Sequence, residues 1–121
     1  MKFGYDAEID YKLNYDANEY FKKFYIPKLK DGSKVLLHAI SNLDCLVKII
    51  EKNPNCEYYV YDLDTVFELL KIYCQKTKLN YIEDYAAIEG KIEFDCDIFC
   101  EISEKKFVAG VRVSDDVELK N

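Results

Sequence analysis

Two stretches near the C-terminus, "KIEFDCDIFCEIS" (Lys91–Ser103) and "KFVAGVRV" (Lys106–Val113), alternate apolar and polar residues almost without a break. A period of two is the mark of a strand with one face in a core and the other turned away from it. The apolar set is Ile92, Phe94, Cys96, Ile98, Cys100 and Ile102 in the first stretch and Phe107, Ala109, Val111 and Val113 in the second. A tight turn at Ser103–Lys106 then pairs Ile102 with Phe107, Cys100 with Ala109, Ile98 with Val111 and Cys96 with Val113. The same register sets Phe99 opposite Gly110 and Asp97 opposite Arg112, the only arginine of the chain. A slip of one residue would send every apolar side chain to the wrong face, so the register is strongly specified. The Asp97–Arg112 pair is expected to lie in solvent and to contribute about 0.2–1 kcal/mol.

The N-terminus repeats the pattern. In "FGYDAEIDYKLNY" (Phe3–Tyr15) the odd positions are apolar or aromatic and the even ones include Asp6, Glu8 and Asp10. A strand over 3–13 follows. Asp16-Ala-Asn-Glu19 has the form of a capping box and predicts a short helix burying Tyr20, Phe21, Phe24 and Tyr25, ended by Pro27. Gly32 supplies the turn in Lys30–Ser33. In residues 34–52, Leu36, Ile40, Leu43, Val47 and Ile50 fit one long helix. The apolar run "KVLLHAI" and a second capping box at Ser41–Asp44 favour a strand over Val35–Ile40 and a helix over Asn42–Lys52. "CEYYVYD" (Cys56–Asp62) reads as a strand. Thr65–Glu68 starts a helix running to about Lys78, with Val66, Leu69, Leu70 and Tyr73 inward and Lys71, Lys76 and Lys78 toward its end. Tyr81–Ile88 is a short helix or irregular segment stopped by Gly90. The fold class is therefore α+β. The expected architecture is one domain over 1–121, an antiparallel sheet with one acidic solvent face, packed on two or three helices.

Charge narrows the function. The 23 acids outnumber the 17 bases, giving a net charge of −6, and the bases other than Arg112 are all lysine. Such a chain is poorly suited to gripping phosphates, so direct nucleic-acid binding is not expected. No apolar run approaches the ~20 residues of a membrane span. The charged N-terminus lacks an apolar leader, and the five cysteines are irregularly spaced. Together these predict a cytoplasmic protein with reduced thiols, with no membrane, metal or cofactor requirement. A homo-oligomer is compatible with all of this.

The acidic rows are the feature that asks to be read by a partner. Asp6, Glu8 and Asp10 form one; Glu93, Asp95, Asp97 and Glu101 form the other. Alternate strand residues lie ~6.8 Å apart, a spacing on which carboxylates imitate a phosphate backbone. The expectation is a non-enzymatic inhibitor that blocks a basic, nucleic-acid-handling protein partner through Asp6, Glu8, Asp10, Glu93, Asp95 and Glu101, helped by tyrosine contacts. Immunity proteins, antitoxins and phage anti-defence inhibitors share this kind of composition. The alternative is a protein that sequesters a nucleotide signal in a pocket of Tyr faces and a few Lys.

Three further features carry chemistry. In "YYVYDLDTVF" (Tyr58–Phe67), apolar and aromatic residues precede Asp62-Leu-Asp64-Thr-Val66. This resembles the first motif of the haloacid-dehalogenase-like phosphatases, a strand ending in D-x-D-x-[TV]. The resemblance implies a third reading, an Mg²⁺-dependent phosphatase-like enzyme with Asp62 attacking phosphorus and Asp64 as acid/base. Asp115-Asp116 is similar to that family's late acidic pair. In the family the first motif lies near the N-terminus, whereas here 61 residues precede it. His38 is the only histidine and is read as packing or surface. Cys96 and Cys100 share a strand face ~13 Å apart, too far to bridge, and are read as core.

Overall fold

The computed structural model describes the backbone of residues 2–10, 26–38, 43–61, 64–103 and 106–114, and the side chains of 26–38, 46–61, 67–99 and 110–114. The strands are β1 (Lys2–Asp10), β2 (Lys34–His38), β3 (Glu57–Tyr61), β4 (Lys78–Ile82), β5 (Cys96–Ser103) and β6 (Lys106–Val113). The helices are α1 (Leu43–Lys52) and α2 (Asp64–Tyr73), and a 3-10 turn covers Tyr85–Ala87. The expected helix after Asp16, the Tyr11–Leu13 end of the first strand, Asp62 and the Asp115–Asp116 pair lie outside the described residues.

The strands form one six-stranded sheet in the order β1-β6-β5-β2-β3-β4. The α+β class holds, but the sheet is mixed rather than antiparallel. β2·β3, β2·β5 and β3·β4 run parallel, and only β1·β6 and β5·β6 are antiparallel. The cause is the pair of helices between β2 and β4. Each carries the chain back to the end where it started, which is what a parallel neighbour needs. The run Val35-Leu36-Leu37 is buried on both sides, as expected of a strand at the sheet centre. In β3 the burial alternates, with Tyr58 and Val60 buried and Tyr59 and Tyr61 half-buried on the other face.

One face carries the core. Val35, Leu37, Tyr58, Val60, Cys96, Ile98, Val111 and Val113 meet Leu46, Ile49 and Ile50 of α1 and Phe67 and Leu70 of α2. Two right-handed crossovers moving the same way along a sheet place their helices on the same face. The chain from β4 to β5 returns in the opposite direction, so the same handedness puts it on the other face. There Tyr85 meets Tyr61 and Phe94 meets Tyr59.

The division of 34–52 into strand and helix is observed, as are all six expected pairs of the β5–β6 hairpin. The turn glycines expected at 32 and 90 have positive φ, 84° and 79°. Three expectations need correction. In β1, Gly4 is an extra residue: Phe3 pairs with Arg112 but Tyr5 with Val111. This bulge breaks the odd–even alternation and places Phe3 at a register position on the Arg112 face. Next, α2 ends at Tyr73, and Lys78 opens β4 instead of closing a helix. As an edge strand with a half-exposed pattern, "KLNYI" carries a weak signal.

Last, α2 is turned from the expected orientation. Leu70 is buried as expected and so is Phe67, whereas Leu69 and Tyr73, expected inward, are 45% and 68% exposed; the Val66 side chain lies outside the described residues. Both stripes are apolar at helical spacing, so periodicity alone could not choose between them. Leu69→Ser should therefore change unfolding free energy by no more than about 0.5 kcal/mol, as for an ordinary surface site. A loss of several kcal/mol in urea titration would contradict this orientation. No described helix is long and apolar enough to cross a membrane.

Candidate functional site

The sheet face opposite the helices holds the polar cluster. Asp97, the second residue of β5, pairs with Leu36 of β2 on one side and Arg112 of β6 on the other. It sits near the middle of the sheet and is only 5% exposed. The expected solvent-exposed ion pair is thus partly buried. Both carboxylate oxygens are engaged. Oδ1 accepts from His38 Nε2, and Oδ2 accepts from the Arg112 guanidinium at 2.5 Å. An ionised carboxylate only accepts, so His38 carries a proton on Nε2 and its tautomer is set by Asp97.

The surrounding residues shape a cleft. His38 is the last residue of β2, with its ring 5.8 Å from Phe99. Tyr61 ends β3 and meets Tyr85 edge-on at 5.7 Å. Leu36, His38, Tyr61, Tyr85, Asp97 and Arg112 line a cavity of 190 Å³. Its lining includes the last residues of the parallel strands β2 and β3, His38 and Tyr61, and carboxyl ends of parallel strands are where ligands bind in such sheets. Arg112 contacts Asp97 through one terminal amino group, and its Nε is buried with no hydrogen-bond partner. Farther along the face, Tyr59 donates to Glu57 at 2.6 Å. That bond, with Lys78 nearby, holds the Glu57 carboxyl below its usual value. A larger hollow of 280 Å³ lies at the end of α2 beside Lys71, Cys74, Gln75, Thr77 and Leu79, with no aromatic wall.

The acidic residues fall into two sets. Asp6, Glu8 and Asp10 pair with Gly110, Val108 and Lys106, and Glu101 pairs with Val108 from the other side. Alternation along β6 puts all four positions on the Arg112 face. Glu8 and Glu101 are two strand spacings apart, about 10 Å. Glu93 and Asp95 do not belong to this row, because β5 begins only at Cys96. Glu93 is exposed on the loop. The Asp95 carboxylate accepts from the Lys34 N–H at 2.9 Å, and its own N–H donates to the Lys34 carbonyl at 2.8 Å. It fastens the start of β5 to β2. The acidic strand positions gather at the β1–β6–β5 end of this face; nearer β2 and β3 the same face is aromatic, with a buried carboxylate.

Other sequence candidates are separated from this cluster. Cys96 is fully buried on the helix side, where burial pushes its thiol up to about 12. Cys56 and Cys74 are also raised by burial, and neither lines the cleft at His38. β3 does end just before the Asp62–Val66 motif, but the Asp62 and Asp64 side chains lie outside the described residues. The Asp97–Arg112 half of the cluster was legible from hairpin register. The His38 half required the parallel β2–β5 pairing, which has no local sequence signal. No family model, curated protein or solved structure matches this chain.

Proposed function

We propose that this is a non-enzymatic binding protein whose sheet face opposite α1 and α2 docks on a basic, nucleic-acid-handling protein and blocks it. The observation that carries the reading is the register of β1, β6 and β5, which gathers Asp6, Glu8, Asp10 and Glu101 on one face. On the same face, two strands beyond β5, are Tyr59 and Tyr61 of β3, with Tyr85 packed on Tyr61. Carboxylates supply steering and charge complementarity, and tyrosines supply contact area at small entropic cost. A net charge of −6 points the same way. Glu93, exposed on the loop before β5, lies away from this row. Asp95 is set aside, since its carboxylate is engaged with the Lys34 amide. An inhibitor of the immunity, antitoxin or anti-defence kind acts by this type of occlusion.

The test is capture of the tagged protein's partner from lysate of its native host at low and high salt. A stoichiometric basic partner is expected at low salt and should be lost as salt rises. Converting Asp6, Glu8 and Asp10 together to Lys should weaken that complex at least tenfold while circular dichroism stays unchanged. Undiminished affinity in the triple variant would remove this surface from the interface.

A further inference from the structure

We infer that the His38–Asp97–Arg112 cleft binds a small aromatic oxyanion, a single ring bearing a carboxylate or a phosphate. This goes beyond the docking reading and is independent of it, since it concerns a ligand rather than a protein partner.

The hydrogen-bonding state of the cleft sets the sign of the ligand. Among the described residues Asp97 is the only carboxylate lining it, and both oxygens are already occupied by His38 and Arg112. What remains to offer is mainly donors: the outer part of the Arg112 guanidinium, whose side chain is 42% exposed, and the hydroxyls of Tyr61 and Tyr85. Arg112 makes its ion pair end-on through one terminal amino group; its Nε is buried, so the exposed end of the guanidinium is what can donate to a ligand. A guanidinium beside phenol donors matches a planar or tetrahedral oxyanion. The nearest loop acid to Tyr85, Asp84, turns its carboxylate onto the Ala86 N–H at 3.0 Å.

The walls set the body of the ligand. Tyr61 and Tyr85 form an edge-on pair, and the His38 ring is held in place by Asp97 and Phe99. Flat faces of this kind favour an aromatic ring. The volume sets the size. At 190 Å³ the cavity falls below the roughly 300–1,000 Å³ of sites that enclose drug-sized ligands. One ring with its oxyanion fits that space better than a whole nucleotide.

The experiment is titration of the isotopically labelled full chain by NMR with benzoate, phenyl phosphate, benzamide and inorganic phosphate. Saturable shifts at Tyr61, Tyr85 and Arg112 are expected with benzoate or phenyl phosphate, and the tighter of the two identifies carboxylate or phosphate ester as the source. Benzamide, which keeps the ring and loses the charge, should bind at least tenfold more weakly. Inorganic phosphate, which lacks the ring, should do the same. Tyr85→Phe, which removes one hydroxyl without disturbing the sheet, should weaken binding about threefold to tenfold. Arg112→Lys should weaken it more. The inference is overturned if neither aromatic anion saturates, if benzamide binds as well as benzoate, or if both variants bind like the parent.

Discussion

Arg112→Ala is expected to destabilise the protein by about 3–5 kcal/mol, whereas Asp97→Asn should cost only about 1–2 kcal/mol. The asymmetry follows from where the charges sit. The Asp97 side chain is 6% exposed, but those of Arg112 and His38 are 42% and 28% exposed. Removing Arg112 leaves a buried carboxylate with the imidazole as its one remaining side-chain partner among the described residues, and such a charge is costly to retain. Neutralising Asp97 in place releases two groups that water already reaches, and the amide oxygen still accepts one bond. A domain is stable by only about 5–15 kcal/mol, so the first change should be obvious in a urea titration. Equal costs, or a costlier Asp97→Asn, would mean that the pair is far more hydrated than its burial implies.

Asn53→Ala should cost about 2–4 kcal/mol, a large effect for a polar residue in a loop. Asn53 follows α1 and is 3% exposed. Its side-chain oxygen accepts from the Leu29 N–H at 2.8 Å, and its side-chain nitrogen donates to the Pro27 carbonyl at 3.0 Å. Both backbone groups lie in a buried part of the 26–33 segment, between Ile26 and Leu29 of the core. Truncation orphans one donor and one acceptor at once, each worth about 1–3 kcal/mol of desolvation. The Tyr58 hydroxyl would be spared, because it donates to the Asn53 main-chain carbonyl at 2.8 Å. Gly32 N–H to the Asn55 carbonyl at 2.9 Å would also remain. Amide hydrogen exchange should therefore show lost protection at Leu29 before Gly32. A stability change below about 0.5 kcal/mol would show that water replaces the side chain without penalty.

These two sites differ in how far the sequence announces them. The Asp97–Arg112 contact follows from hairpin register, because two alternating strands joined by a short turn have one consistent pairing. Nothing local marks Asn53 as a clamp. Its partners stand 24 and 26 residues earlier, in a segment with no regular structure. The same divide runs through the candidate site. Asp6, Glu8, Asp10 and Glu101 were recognisable as strand acids, but their gathering on one face depends on β6 lying between β1 and β5. Asp95 looked like one more of them until its carboxylate proved to hold the Lys34 amide.

Read alone, the sequence determined the hairpin and its register, the turn glycines and the α+β composition, and it favoured the strand–helix division of 34–52 over one long helix. All of these depend on neighbours within a few residues or across one tight turn, where periodicity and backbone preference act directly. Tertiary structure alone decided that β2 lies beside β5, that α2 buries Phe67 rather than Leu69 and Tyr73 alongside the expected Leu70, and that His38 meets Asp97. Each of those outcomes selects among alternatives that are locally equivalent. Two apolar stripes, or two possible strand neighbours, are separated in free energy only when the whole sheet assembles and one arrangement buries more apolar surface with its polar groups paired.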